Sequence, residues 1–410
     1  MYLQLMLLTG VLGMSILLSG CNGARELDQR ANVVAMGLDT AEQEGMTRVS
    51  YQFAVPQIEA GKDDASKAAV IVTNTAPSLA EGLNLLNSEV ALQPVLAHVK
   101  VIVVGEELAR RGIANVLGPF MRYREYRGSM FVVVTRGTAK NFLEKNKPLF
   151  VVSMAKYYEE MITSWQESGY FLQTTLHQYY TRLKNKSGQP YISLIAINSG
   201  SGEGEISTRK VPGGKIEGYR AGDLPRSGGN VAEFAGTAIF DGDKMVGTLS
   251  TIETRMLAML LGNYSNGFIV VEDPLEPKST INVNLHLGSK PKISVVLVED
   301  HPVIHVSILL EGEISSIPSG INYEEESYLD LLEAQVSNVY TQEMMNFSKH
   351  TQELNADVAG FGYYLRPAFQ SNKEYENYKW NEKYSQAEVN IEVKTQIRRT
   401  GLMLRTFPTE

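Results

Sequence analysis

The single cysteine of the chain, Cys21, stands where an uncharged apolar segment meets polar sequence. Residues 1–20 contain no Asp, Glu, Lys or Arg, and they end in Leu18-Ser19-Gly20. With one cysteine, the chain can form neither an internal disulfide framework nor a multi-cysteine metal site. Any fold beyond Cys21 must therefore be stabilised by hydrophobic cores and hydrogen bonds.

The boundary at Cys21 has the form of an export signal. An apolar run that ends in small residues before a processing point is typical of a secretory signal. The sequence Leu18-Ser19-Gly20-Cys21 resembles a bacterial lipobox, which is cut before the cysteine, whose sulfur carries a diacylglyceryl group. We therefore predict a lipoprotein signal peptide over residues 1–20 and a lipid attachment site at Cys21. The segment lacks the basic residues usual at the start of a signal, and an uncleaved membrane anchor or a buried apolar helix are the alternatives.

The overall charge limits the possible partners. The chain has 38 Lys and Arg against 46 Asp and Glu, a formal net charge of −8. It therefore lacks the excess of basic residues that is typical of nucleic-acid-binding proteins. Two acyl chains are enough for stable membrane attachment. Because anionic headgroups repel an acidic chain, we expect the lipid on Cys21 to hold this one at the membrane, on the extracytoplasmic side.

Residues 21–198 alternate strand and helix signals, which predicts an N-terminal α/β domain with some parallel strand pairing. The predicted strands are 31–38, 49–55, 68–73, 99–104 and 131–134, and the predicted helices are 79–90, 106–117, 139–145 and much of 151–183.

Residues 199–230 are rich in glycine and predict a linker or a long loop. They lack the Gly-Lys-Ser/Thr sequence of a phosphate-binding loop. Residues 231–280 are expected to form a middle domain. In it, Asp241-Gly242 predicts a hairpin turn, and the sequence from Ser250 to Glu253 has the form of a capping box that opens an apolar helix.

Residues 281–410 predict a C-terminal α+β domain. Three strands alternate apolar and polar side chains near 281–287, 293–297 and 304–310, which favours an antiparallel sheet with one wet face. A long helix follows at 329–347, and residues 357–364 and the region of Trp380 are also expected to be helical. A cleanly alternating strand closes the domain at 387–397. The whole chain is therefore expected to be an α+β or mixed α/β multidomain protein. We expect its mixed sheets to pack against helices, with a C-terminal antiparallel sheet beside a long helix.

The sequence contains few motifs typical of catalytic or metal-binding sites. His301 and His305 are four residues apart, but in a strand-like run without a carboxylate at motif spacing. The zincin pattern and the Gly-x-Ser-x-Gly nucleophile elbow do not occur in the sequence. The acidic clusters at 63–64, 272–273 and 324–326 are typical of solvated turns and helix N-termini. We predict no catalytic residue, no cofactor and no metal site. The tyrosine pairs at 157–158, 179–180 and 363–364 favour core packing or a protein interface.

Several short motifs, in order along the chain, resemble the Ger(x)C family, the C-subunit lipoproteins of spore germinant receptors. After the lipobox, residues 25–28 and 35–39 are similar to the family's opening strand; residues 236–240, 244–247 and 253–255 are similar to its central signature. Residues 357–362, Trp380 and residues 397–401 are similar to its C-terminal signature. Asn22-Gly23 departs from the family, which usually has Trp-Asp after the lipid cysteine.

The resemblance implies a membrane-anchored subunit of a nutrient germinant receptor, on the outer face of the spore inner membrane. It implies partners in two integral membrane subunits, one of them transporter-like, and neither an enzyme nor an assigned ligand pocket. The alternative is a lipid-anchored extracytoplasmic solute-binding protein or an exported hydrolase. A solute-binding protein should show two similar α/β lobes, and a hydrolase should show a nucleophile or metal constellation.

Overall fold

The computed structural model describes residues 2, 4, 29–55, 69–149, 153–198 and 218–399. The signal segment apart from residues 2 and 4, Cys21 and most of the glycine-rich stretch lie outside the described residues. None of the described helices has the length and apolar content needed to cross a bilayer. The described chain mixes helices with two sheets, which confirms the expected fold class.

The first part of the chain forms one sheet and the helices that cover it. Its strands are β1 (Arg30–Thr40), β2 (Thr47–Ala54), β3 (Ala69–Ala76), β4 (Gln93–Val95), β5 (Val101–Gly105), β6 (Phe131–Thr135), β7 (Tyr191–Ile197), β8 (Ala232–Asp241) and β9 (Lys244–Leu249). Its helices are α1 (Leu79–Glu89), α2 (Glu106–Arg111), α3 (Ala114–Leu117), α4 (Ala139–Lys145), α5 (Met154–Thr163), α6 (Trp165–Ser168) and α7 (Leu176–Lys184), with a 3₁₀ turn at Gly118–Met121.

The nine-stranded sheet has a parallel centre and antiparallel flanks. Its order is β3-β2-β1-β5-β6-β7-β8-β9, and β4 pairs with the first residues of β1. Strands β1, β5, β6 and β7 run parallel, whereas β2 and β3 on one side and β8 and β9 on the other run antiparallel to their neighbours. Parallel neighbours need crossover connections, which explains why strands and helices alternate in this part of the sequence. The edge at which β1, β5, β6 and β7 begin is called the N-terminal edge below.

Helices cover both faces of this sheet. On one face, α1, α2 and α7 bury apolar side chains such as Leu86 and Leu176 against strand residues that include Ile102. On the other face, α4 and α5 contribute Phe142 and Tyr158 to a core that includes Val103. A strand buried on both faces reads as a continuous apolar run, as in the Val-Ile-Val-Val sequence of β5.

The second part of the chain forms a five-stranded sheet with helices against one face. Its strands are β10 (Gly267–Glu272), β11 (Thr280–Leu287), β12 (Lys292–Val298), β13 (His301–Ser316) and β14 (Glu388–Arg399). Its helices are α8 (Thr251–Leu260), α9 (Glu326–Glu353), α10 (Gly362–Leu365), α11 (Asn372–Tyr378) and α12 (Trp380–Lys383), with 3₁₀ turns at Arg366–Ala368 and Tyr384–Gln386.

This second sheet is antiparallel except at one edge. Strand β10 pairs with β11, and β11 and β12 pair with successive halves of β13. Strand β14 runs parallel to β13, because the long helix α9 and the helices after it return the chain to the starting end of β13. One large core holds the buried face of α9 and also Tyr191 and Ile239 of the first sheet, so the two parts of the molecule share a core.

Three predicted helices differ from the observed ones. The predicted 106–117 helix breaks after α2, because Gly112 adopts a φ of 120°. The helical stretch predicted over 151–183 is divided into α5, α6 and α7, with Gly169 in the left-handed conformation after α6. The helix expected from Asp357 is only the single turn α10, because residues 357–361 form a loop.

Residues 231–280 are shared between the two sheets. Strands β8 and β9 extend the first sheet from the edge of β7, whereas β10 begins the second sheet. Of the predicted linker, residues 218–230 pack against β8. The buried carboxylate of Glu233 accepts the N–H of Gly222 at 2.7 Å and pairs with Arg226 at 2.8 Å, which holds this stretch on the sheet.

Candidate functional site at the junction of the two sheets

Asp357, in the loop after α9, is a buried carboxylate with 1% of its surface exposed. Its Oδ1 accepts the backbone N–H groups of Gly360 at 2.7 Å and Phe361 at 3.0 Å. Its Oδ2 accepts the N–H of Gly362 at 3.0 Å and the indole N–H of Trp380 at 2.8 Å. Four donors therefore surround one carboxylate, and they fix the loop to α12.

The local sequence explains why this loop forms. Gly360 has a φ of +78°, a conformation that favours glycine. At Gly362, an added Cβ would lie 2.3 Å from Cδ1 of Trp380, so only a glycine lets the backbone approach the indole. The Asp-x-x-Gly-Phe-Gly sequence and Trp380 thus form a single structural unit.

The environment of Asp357 suits a structural carboxylate. Burial raises the pKa of the Asp357 carboxyl, and the bonds from Gly362, Phe361, Trp380 and Gly360 act in the opposite direction. Because all four partners are N–H donors, the geometry fits the ionised form. Both oxygens are already engaged within the protein, so this carboxylate is poorly placed to exchange protons with a substrate.

The same loop joins the second part of the chain to the first. The N–H of Gln189 donates to the carbonyl oxygen of Asp357 at 2.7 Å, and the Arg182 guanidinium donates to that of Val358 at 3.2 Å. An added Cβ at Gly188 would lie 3.0 Å from Cα of Gly360, so the two backbones are in close contact. We call residues 182–190 together with 357–362 the junction.

A shallow cleft of about 260 Å³ opens beside the junction. Tyr363 and Tyr364 border it with 62% and 40% of their surfaces exposed, and their rings meet edge to face at 6.1 Å. Arg182 also lines the cleft and lies over the Tyr191 ring at 4.3 Å. Exposed tyrosines beside a cation are typical of contact surfaces more than of enclosed ligand sites.

A second polar contact joins α8 to α9. Glu253 completes the capping box of α8 by accepting the N–H of Ser250 at 2.7 Å, and its other oxygen lies 2.5 Å from Nδ1 of His350 on α9. Burial raises the pKa of the Glu253 carboxyl, but the bonds to His350 and Ser250 outweigh burial and hold the pKa below its ordinary value. The hydrogen bond to Glu253 raises the pKa of His350 in turn, against the opposing effect of burial.

A cleft of about 920 Å³ lies where β1 and β5 end. Ligands of α/β sheets commonly bind at such a point, where connections leave neighbouring strands in opposite directions. Beside this cleft, however, the carboxylate of Asp39 accepts the N–H groups of Ala139 at 2.7 Å and Lys140 at 3.0 Å at the start of α4. A side chain of the protein thus occupies the helix N-terminus that an anionic ligand would otherwise use.

The sequence-predicted candidates are scattered through the molecule. Cys21 and the acidic pair at 63–64 lie outside the described residues. His301 and His305 are exposed on β13, and the described residues contain no group of three or more potential metal-binding His, Cys, Asp or Glu side chains. Asp273 binds the turn after β10 through the N–H groups of Leu275 and Glu276.

Neither the junction contacts nor the contact between α8 and α9 were predicted from the sequence. Arg182 and Val358 are 176 residues apart, and Glu253 and His350 are 97 apart. Only the resemblance of residues 357–362 and Trp380 to a family signature pointed toward this region, and it indicated no partner for them in the first sheet.

Comparison with known families gives a match in each part of the chain. Residues 23–197 match the model described as "Spore germination protein N-terminal domain", and residues 235–401 match "Spore germination B3/ GerAC like, C-terminal". The chain belongs to the Ger(x)C family. The two matched regions correspond to the first sheet up to β7 and to the remainder from β8 onward.

Individual relatives support the same assignment to the Ger(x)C family. Spore germination protein B3 of Bacillus subtilis (strain 168) is 26% identical over 326 residues, which cover 78% of this chain and 77% of that protein. The YfkR protein of the same strain is 22% identical over 405 residues, which cover 96% of each chain. The crystal structure of the GerBC protein superposes with a TM-score of 0.51 over 92% of this chain and 100% of that one; at 19% identity, it supports the fold alone.

Proposed function

We propose that this Ger(x)C protein is a membrane-anchored lipoprotein subunit of a spore germinant receptor, acting with integral membrane subunits in nutrient-triggered germination. The observation that carries the proposal is the pair of family matches, which together span residues 23–197 and 235–401. The relative B3 is itself a spore germination protein by name.

The sequence at Cys21 supports a lipid anchor on the outer face of the spore inner membrane. Cys21 is the only thiol of the chain, and it directly follows the apolar segment. Strand β1 begins at Arg30, nine residues after Cys21, and an extended chain of that length spans at most about 30 Å. The folded part would therefore stay close to the membrane, where the anchor raises its effective concentration toward integral membrane partners.

The described polar contacts fit a subunit that works by binding. The carboxylates of Asp39, Glu253 and Asp357 each accept hydrogen bonds that hold helix or loop termini. The two sheets differ in strand number and direction, unlike the two similar lobes expected of a solute-binding protein. These features favour the receptor subunit over the alternative of a solute-binding protein.

Deletion of the gene tests the receptor role. In a strain that lacks redundant receptors, we expect spores without this chain to lose the response to at least one nutrient and to keep the response to a non-nutrient trigger. Supplying the wild-type gene should restore the nutrient response. Normal germination of the deletion strain with every nutrient would contradict the proposal.

A further inference from the structure

Three arginines lie close together in the loop that precedes β6. Arg122, Arg124 and Arg127 are all exposed. None of the three forms an ion pair with any residue in the part of the chain that the structure describes. By contrast, Arg110 and Arg111 on α2 pair with Glu106 and Glu107 one turn earlier. We call residues 122–127 the arginine loop.

The arginine loop runs toward the N-terminal edge of the first sheet. At its start, the N–H of Arg122 donates to the carbonyl oxygen of Pro119 at 3.0 Å, and Pro119 lines the cleft where β1 ends. At its end, the carbonyl oxygen of Arg127 accepts the N–H of Met130 at 3.1 Å, one residue before β6. The register places Ala35 of β1 beside Val101 of β5, and Val101 beside Phe131 at the start of β6. The loop ends at Arg127, four residues before Phe131, and Arg30 lies five residues before Ala35 on the same side of that row. Strand β1 therefore begins at the edge toward which the arginine loop runs.

Aromatic side chains accompany the charges. Tyr123 is 47% exposed, and its ring lies 5.8 Å from that of Tyr126, which packs on Phe120 at 4.5 Å. An exposed tyrosine whose ring packs beside other aromatic side chains is suited to the boundary between lipid headgroups and acyl chains. The N–H of His177 donates to the carbonyl oxygen of Gly128 at 3.0 Å, so α7 begins beside the loop.

Helix α7 extends this surface toward the junction. Exposed Lys184 near its end lies over the Tyr180 ring at 4.4 Å, and Arg182 reaches the junction beside exposed Tyr363 and Tyr364. Cations and tyrosines thus continue from the arginine loop along α7.

The net positive charge of the arginine loop favours an anionic binding partner. The arginine loop carries three positive charges and one negative charge, from Glu125, in a chain whose net charge is −8. A membrane with anionic lipids attracts basic residues and repels the acidic remainder of the molecule. We propose that the arginine loop binds the headgroups of anionic phospholipids and so fixes the orientation of the anchored protein on the membrane. The inference rests on the proposed anchor at Cys21.

Fluorescence quenching on vesicles tests this contact. Full-length lipidated protein is reconstituted into phosphatidylcholine vesicles, with or without phosphatidylglycerol and with nitroxide-labelled headgroups. Because the lipid blocks Cys21, the substitution Ser129→Cys beside the loop gives a unique thiol for a fluorophore. Gln43→Cys, in the exposed turn between β1 and β2 at the opposite edge, is the matched control.

We expect quenching of the Ser129→Cys label in phosphatidylglycerol vesicles, weaker quenching in phosphatidylcholine alone, and little quenching of the Gln43→Cys label. Each arginine should change the ratio of bound to unbound orientations by about fivefold, and added salt should weaken binding. The triple variant Arg122→Gln/Arg124→Gln/Arg127→Gln should lose the quenching. The control Lys278→Gln/Lys290→Gln/Lys292→Gln, with the same change in charge at exposed sites of the second sheet, should keep it.

Two measurements distinguish a failure of the headgroup contact from a failure of the lipid anchor at Cys21. Flotation with vesicles at high salt reports the anchor alone, whereas the Ser129→Cys label at low salt reports the loop contact. If the chain floats but the label stays unquenched on anionic vesicles, the headgroup contact is wrong and the arginines are free to face a protein partner. Equal quenching of the wild-type and triple-arginine chains would also overturn it.

Discussion

The indole N–H of Trp380 donates to Oδ2 of Asp357 at 2.8 Å, and each of these side chains has 1% of its surface exposed. This bond connects α12 to the loop after α9. Through the bond between Gln189 N–H and the Asp357 carbonyl, the same loop connects to the chain just before β7. Asp357 is thus one of the residues through which the second part of the molecule is fixed to the first.

Asp357→Asn should strongly destabilise the fold. The amide replaces one acceptor oxygen with an NH₂ group, which would face N–H donors and leave them unpaired in a buried site. We expect a loss of about 3 kcal/mol in the free energy of unfolding, measured by urea denaturation. Asp330→Asn, at an exposed position of α9, is the matched control and should change the free energy by less than about 0.5 kcal/mol. Similar stabilities for the two variants would contradict the assigned role of Asp357.

Gly362→Ala should be destabilising through a steric conflict. The new Cβ would lie 2.3 Å from Cδ1 of Trp380, so the indole would have to move and its bond to Asp357 would weaken. We expect a loss of about 1–3 kcal/mol, together with a change in the Trp380 fluorescence. Gly118→Ala is the control, because Gly118 has ordinary helical backbone angles and nothing within 4 Å of an added Cβ. If Gly362→Ala is as stable as Gly118→Ala, the close approach to Trp380 is not required.

The contact between Glu253 and His350 predicts a pH-dependent stability. The pKa of His350 is raised from 6.5 in the folded chain, so its contribution is complete below pH 6.5 and is lost as the pH rises through the folded pKa. The pKa of Glu253 is lowered from 4.5, so its contribution is lost as the pH falls from 4.5 through the folded pKa. The pair therefore stabilises the fold most between these two ordinary values.

His350→Gln should remove the upper part of this dependence. The unfolding free energy of the variant should fall less than that of the wild type from about pH 6 to about pH 8, as followed by urea denaturation at each pH. His177→Gln, at an exposed position of α7, should keep the wild-type profile. A wild-type slope in the His350→Gln variant would show that another group causes the dependence.

Local sequence patterns were enough to predict many elements of the fold. Alternating side chains predicted β11, β12, β13 and β14, and Asp241-Gly242 predicted the hairpin of β8 and β9. The capping box at Ser250 is present with both of its hydrogen bonds. These features depend on residues a few positions apart, so periodicity and capping rules describe them well.

Local patterns could not predict features that depend on residues far apart in the sequence. The period of two in β14 is the same for parallel and antiparallel pairing, so it could not reveal that β14 runs parallel to β13. The attachment of β8 to β7 and the bond between Gln189 and Asp357 also need the three-dimensional arrangement. Of the candidate sites, Cys21 was proposed from the sequence and remains a prediction, whereas the junction emerged from the structure.

The proposed role of this chain as a receptor subunit depends most on Cys21 as its lipid attachment site. The most direct measurement is the rate of nutrient-triggered germination in spores whose only copy of this gene carries Cys21→Ala. The level of the chain is checked by immunoblot, and a non-nutrient trigger serves as control. We predict that these spores respond to the nutrient at least about tenfold more slowly than wild-type spores, because the unanchored chain is lost from the membrane where its partners lie. A wild-type nutrient response from Cys21→Ala spores would contradict the account.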